Sequence, residues 1–206
     1  MPKVTLNKSE LQKEMEKLQL YKRLLPSLDL KRRQLTLELN RAKDKLGKEQ
    51  DALQELMQKT VEQIPMLANR EESFVGIVKL ESVQVGEQNV VGVNVPVLEE
   101  VTWNVSEYSL LVEPSWVDTM VKKIREVGEL RLSIHVEKER VKRLERANRR
   151  ITQRINLFEK ILIPEAKENI RRIRIFLGDA EMAAVVRSKI AKSIHEKKRE
   201  KLRKAS

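Results

Sequence analysis

Two histidines, His135 and His195, stand sixty residues apart in a chain of 206, and neither has carboxylates around it at metal-ligand spacing. Both read as ordinary solvated helix positions. The six glycines are scattered and none precedes Lys-Ser or Lys-Thr as a phosphate-cradling loop requires. The absence of cysteine removes disulfides, thiolate metal sites and cysteine nucleophiles. Carboxylates are numerous, but nearly all occupy helical positions where a nearby Lys or Arg balances them. No catalytic residue, cofactor or metal site is therefore expected.

The chemistry that remains is attraction between opposite charges. From Arg187 to Ser206 there are nine cations, Arg187, Lys189, Lys192, Lys197, Lys198, Arg199, Lys201, Arg203 and Lys204, against Glu196 and Glu200. That is a local net charge of +7 in a chain of +11, and it predicts acidic surroundings. Between Ser73 and Pro114 the sign reverses: Lys79 faces Glu81, Glu87, Glu99, Glu100, Glu107 and Glu113, a net of −5. Two segments of opposite charge imply two sets of partners.

Aromatics at 3% and charged residues at 35% are thin material for a compact core, so long helices burying a narrow seam are the expected way of positioning these charges. Asn7 followed by Glu10 has the spacing of a helix N-cap. Steps of four and three residues from Leu11 then reach Met15, Leu18, Lys22, Leu25, Leu28, Arg32, Leu35, Leu39, Ala42, Leu46, Glu49, Leu53 and Leu56. A seam repeating every 3.5 residues calls for a partner helix, because a lone surface helix drifts by about 20° per heptad from such a pattern. Pro26 predicts a bend near Lys22, and Ile64-Pro65 an end.

A second start is marked by Ser115-Trp-Val-Asp118 after Pro114. Apolar positions follow at Val117, Met120, Ile124, Val127 and Ile134, then a heptad seam at Val141, Leu144, Asn148, Ile151, Ile155, Phe158 and Leu162. Asn148 either fixes the register of the pair or turns out to water. Pro164 predicts a kink rather than a stop, and Gly178 a hinge, after which Ala180, Ala183, Ala184, Val186, Ile190 and Ile194 continue the helix with smaller side chains. The economical pairing is antiparallel and within one chain. At 1.5 Å per residue the two helices would run roughly 85 and 125 Å, which leaves about thirty C-terminal residues without a helical partner from this chain.

Between them, Val83 and Val85, then Gly86-Glu-Gln-Asn89, then Val91, Val93 and Val95 read as two strands joined by a polar loop, with Val101, Trp103 and Val105 as a third strand. Trp103 and Trp116 are expected to pack in a core. The expected fold is mainly α: an antiparallel two-helix coiled coil with a small β-hairpin between the helices. Its segments are 1–65 (first helix), 66–114 (hairpin and loops) and 115–206 (second helix and basic overhang), a rod with an acidic foot. Apolar runs fall far short of the roughly 18 residues of a membrane span, and the N-terminus has no hydrophobic signal core. The chain reads as soluble and cytosolic.

The run Arg149-Arg-Ile-Thr-Gln-Arg-Ile-Asn-Leu-Phe-Glu-Lys-Ile-Leu-Ile-Pro-Glu-Ala-Lys-Glu-Asn-Ile-Arg-Arg-Ile-Arg resembles an element of the D subunit of the V-type and archaeal-type rotary ATPases. The matching residues are Arg154, Ile155, Asn156, Leu157, Glu159, Ile163, Pro164, Asn169 and Ile170. Thr5 and Leu28-Asp-Leu-Lys-Arg-Arg-Gln-Leu35 look like that family's opening elements. The family's Glu-Arg-Glu element is replaced here by Gly178-Asp-Ala-Glu-Met-Ala-Ala, and the middle segment is similar in position more than in residues.

The resemblance implies a non-catalytic central rotor axle. Its termini would rise into the ring of alternating A and B subunits, whose catalytic sites do the nucleotide chemistry. Its partners would be the A and B subunits, the small F subunit and the subunit linking the stalk to the membrane ring. Arg187, Lys189, Lys192, Lys197, Lys198 and Arg199 are the expected contacts with the hexamer. The protein would be cytoplasmic and peripheral to the membrane, without insertion, and nucleic acid is not expected as a partner. A competing reading of the charge is a coiled coil that binds nucleic acid; another is a scaffold that dimerises.

Overall fold

A computed structural model describes residues 5–63, 77–105 and 116–204, with side chains for 5–62, 77–105 and 117–197. The described chain is mainly helical, with a two-stranded antiparallel hairpin between helices. The elements in order are α1 (Lys8–Gln63), β1 (Val78–Val90), β2 (Val93–Val105), α2 (Trp116–Leu157), a π-helical turn (Phe158–Leu162) and α3 (Ile163–Lys204). Helix α1 opens where the cap was expected: Glu10 N–H donates to Asn7 Oδ1 at 2.7 Å. It continues through Pro26 unbroken. The expected end at Ile64-Pro65, the Ser115 cap and the packing of Trp116 lie outside the described residues and side chains. The chain divides into two compact units, Leu30–Thr152 and Met1–Asp29 with Gln153–Ser206.

In the Leu30–Thr152 unit, contacts ascend α1 as they descend α2. Thr36 Oγ1 reaches Asn148 Oδ1 at 3.5 Å, Lys43 pairs with Glu145 at 2.7 Å, Lys45 with Glu137 at 2.5 Å, and Ser133 donates to Glu49 at 2.9 Å. Asn148 is half-buried. Leu35, Leu39, Ala42, Ile134, Leu144 and Ile151 are buried, while Leu46, Leu53 and Val141 are half-buried. Each fully buried Leu contributes about 1.5–3 kcal/mol relative to exposure.

Both strands are thirteen residues long, and this corrects two expectations. Val101, Trp103 and Val105 belong to β2, pairing with Val83, Leu80 and Val78 rather than adding a strand. The turn is Val91-Gly92, not Gly86–Asn89, which lies inside β1. Positive φ at both turn residues, 53° and 79°, gives the backbone the handedness that twisted strands require, and Asn89 Oδ1 accepts the Gly92 N–H at 2.9 Å. A β-branched residue at the first turn position hid the turn, since Asn or Gly is usual there. Gly86 lies under the end of the exposed Glu99 side chain, which occupies the space a Cβ would take.

In the other unit, α1 runs against the π turn and α3. Ile155, Ala166, Ile170 and Ile173 are buried, with Leu11, Leu18, Leu25, Leu28, Phe158 and Leu162 half-buried. Glu14 is 5% exposed and Tyr21 is half-buried with its ring edge-on to Phe158 at 5.3 Å, whereas Met15 and Lys22 are exposed. The seam therefore passes through Glu14 and Tyr21, correcting the expected Met15 and Lys22. The steps are then strictly alternating threes and fours from Leu11 to Leu56. The π turn inserts one extra residue: Ile163 N–H bonds back to Phe158 O, and the inward-facing positions step from half-buried Leu162 to buried Ala166, Ile170 and Ile173. It sits just before Pro164, which lacks the N–H that would otherwise bond Lys160 O. The helix passes through Pro164 and through Gly178, where a Cβ would meet nothing within 4 Å.

Candidate functional site: interaction surfaces

The first surface lies on the Leu30–Thr152 unit, where the hairpin is fastened to α2. Arg143 Nη1 donates to Glu87 Oε1 at 3.3 Å and to the Asn94 carbonyl at 3.2 Å, and Trp103 Nε1 donates to Glu129 at 3.2 Å. The Trp103 ring lies where a Cβ on residue 128 would be, so Gly128 is what lets it approach the helix. With Thr60, Met120, Ile124 and Val127 it lines a mostly apolar pocket of about 280 Å³, edged by Lys123 and Arg131. Ionic ties brace the helices here. The Lys43 ammonium, which donates to Glu145, holds that carboxyl below the ordinary value, and Lys142 does the same to Glu139.

The second surface is a groove of about 390 Å³ in the other unit, lined by Met15, Leu18, Gln19 and Lys22 of α1 and Lys167, Ile170, Arg171 and Arg174 of α3. Four of the eight lining residues are cations and none is a carboxylate. Beneath it, Glu14 accepts from Lys17 at 2.6 Å and from Asn169 at 3.4 Å, and that first bond raises the Lys17 pKa. A buried carboxylate is tolerable because it has these partners. Glu137 is the corresponding case on the first unit, held by Lys45 with Arg140 at 3.7 Å. Sequence reasoning missed both glutamates because a charged side chain at a seam position looks like a surface residue.

The third surface is the C-terminal part of α3. From Gly178 to Lys197 every side chain is exposed, with Met182, Val185, Val186, Ile190 and Ile194 each more than half exposed. Met182, Val186, Ile190 and Ile194, four apart, form a slowly winding apolar stripe. Exposed Arg187, Lys189, Lys192 and Lys197 lie between and beside them; the side chains of Lys198 and Arg199 lie outside those described. Apolar and basic groups thus alternate around an uncovered helix. Among the described residues no three His, Asp or Glu side chains gather as a metal site, and no helix is long and apolar enough to cross a membrane. These surfaces suit contact with other proteins.

The family model for the ATP synthase D subunit matches residues 10–193. The chain belongs to the ATP synthase D subunit family. The V-type ATP synthase D subunit of Borreliella burgdorferi is 34% identical to it over 193 residues, covering 94% of this chain and 95% of its own. That of Chlamydia pneumoniae is 36% identical over 195 residues, covering 92% and 91%, and that of Chlamydia abortus 34% over 204 residues, covering 96% of each. These relatives are named as subunits of an enzyme complex. The family match takes in both walls of the basic groove and most of the uncovered stretch of α3. Of the residues carrying the resemblance, Ile155 and Ile170 are buried and Asn169 secures Glu14.

Proposed function

We propose that this chain is the central rotor axle of a V/A-type rotary ATPase or ATP synthase, non-catalytic itself. It couples ATP synthesis or hydrolysis in a hexamer of A and B subunits to proton or sodium transport. Family membership joined to one observation carries this reading: twenty consecutive residues of α3, from Gly178 to Lys197, are exposed, and no described residue covers their apolar and cationic side chains. An axle end must be built that way, since its contacts lie on other subunits. The seam Leu11, Leu18, Leu25, Leu28, Leu35, Leu39, Leu46 and Leu53, facing Val141, Leu144, Asn148, Ile151, Ile155, Phe158 and Leu162, is proposed as the core of an antiparallel coiled-coil shaft.

In this reading Arg187, Lys189, Lys192, Lys197, Lys198 and Arg199 contact the hexamer. An asymmetric shaft touches the catalytic interfaces differently at each angle, so turning it biases each interface toward a different state. The F subunit and the subunit leading to the membrane ring attach elsewhere on the chain, which stays peripheral to the bilayer. Mixing the purified chain with A-B hexamer and F, then sizing the product, tests the reading. Co-elution is expected, and separate elution of all three would overturn it.

A further inference from the structure

Glu137, 4% exposed, is the one buried charge among the described residues of the Leu30–Thr152 unit. Lys45 on α1 donates to its Oε1 at 2.5 Å, and Arg140, one turn along α2, stands 3.7 Å from the same oxygen. The second carboxylate oxygen and the Arg140 Nε are buried without a hydrogen-bond partner. A carboxylate so incompletely satisfied adds little stability over a well-packed apolar side chain, whereas stripping it of its cation is strongly destabilising. That asymmetry makes Glu137 a weak staple and a sharp discriminator between alternative packings.

The apolar seam leaves one such alternative open. Leu39, Leu46 and Leu53 are seven residues apart, so sliding α1 by one heptad, about 10 Å along its axis, brings Leu46 to the place of Leu39 and Leu53 to that of Leu46. The same slide sets Gln50 where Lys43 stood, Leu56 where Glu49 stood and Ala52 where Lys45 stood. Glu145 is only half-buried and Ser133 is neutral, so neither resists it strongly. Glu137 does. Arg140 travels with it on α2, but Lys45 is left behind, and the opposite slide sets Glu38 against it, like charge against like. We infer that Glu137 and Lys45 are the register key of α1 on α2, a positioning pair that forbids heptad slip, so that a chain loaded in torsion turns without one helix shearing along the other. The load belongs to the rotor reading, on which that consequence rests; the key itself does not.

Because the chain has no cysteine, its register can be read from introduced pairs closed within one chain by a short bismaleimide. Lys43→Cys/Glu145→Cys reports the native register, since those side chains meet at 2.7 Å, and Gln50→Cys/Glu145→Cys reports the slipped one. With the key intact, only the first pair is expected to link. Replacing the key with apolar groups, Glu137→Leu/Arg140→Met, is expected to leave the melting temperature equal or higher while linking through position 50 rises roughly tenfold. Moving the cation by one heptad, Lys45→Ala/Ala52→Lys, preserves composition and net charge and touches only exposed positions, and is expected to make the slipped link the major one. Linking through position 43 alone in both variants would overturn the key, and a fall in melting temperature with that pattern would reduce Glu137 to an ordinary stabilising contact. A hexamer that does not bind the unaltered chain would overturn the rotor reading and leave the key standing.

Discussion

Gly128 shows how one missing side chain places a large one. Replacing it by Ala gains up to about 1 kcal/mol of helix propensity but drives a methyl into the Trp103 ring, and overpacking of that kind costs about 1–3 kcal/mol. Gly128→Ala should therefore lower the urea midpoint, and in a Trp103→Ala background the same change should raise it. Glu145 makes a prediction about acid. Its carboxyl titrates below the ordinary value because Lys43 donates to it, so the stabilisation is present above the unfolded pKa and fades as pH falls through the lower folded one. An NMR titration should place the Glu145 midpoint below that of a free glutamate and move it up toward that value in Lys43→Met. Neither contact was legible in sequence, since each joins residues more than twenty positions apart. The periodic leucines were legible; Glu14 and Glu137 were not, because what makes a buried carboxylate acceptable is its partners.

At the scale of elements, the long helices were readable because mostly apolar residues recur every three or four positions from Leu11 to Leu56. The hairpin was readable as β-branched alternation, but its turn was misplaced. Gly86 and Asn89 looked like loop residues, while the chain reverses at Val91-Gly92. Holding a valine at φ 53° costs about 1–2 kcal/mol. Val91→Asn should therefore raise thermal stability, by about 1 kcal/mol, with the strands keeping their register; a lowered melting temperature would mean that the half-buried valine contributes more through packing than it loses in backbone strain. The π turn before Pro164 is likewise invisible to a strict heptad count, which ends at Leu162. One inserted residue restores the burial of Ala166, Ile170 and Ile173 beyond it.

For the molecule as a whole, the charge contrast along the sequence is where the proposal puts the contacts with other subunits, but charge alone does not distinguish an axle from a nucleic-acid binder. Family membership and the uncovered end of α3 favour the axle. Removing residues 178–206 should leave the buried set from Ile155 to Ile173 and the helix content of the remainder intact, yet weaken hexamer binding by tenfold or more in a pull-down titration. Because the chain has no cysteine, one introduced at the exposed hairpin position Gln88→Cys can carry a single bead without background labelling. With the A-B hexamer fixed to a surface and this chain assembled in it, the bead should turn in one direction, in three equal steps per revolution, only while ATP is hydrolysed. A bead that is held by the hexamer but shows no directional bias under ATP would contradict the proposal that this chain is the rotor.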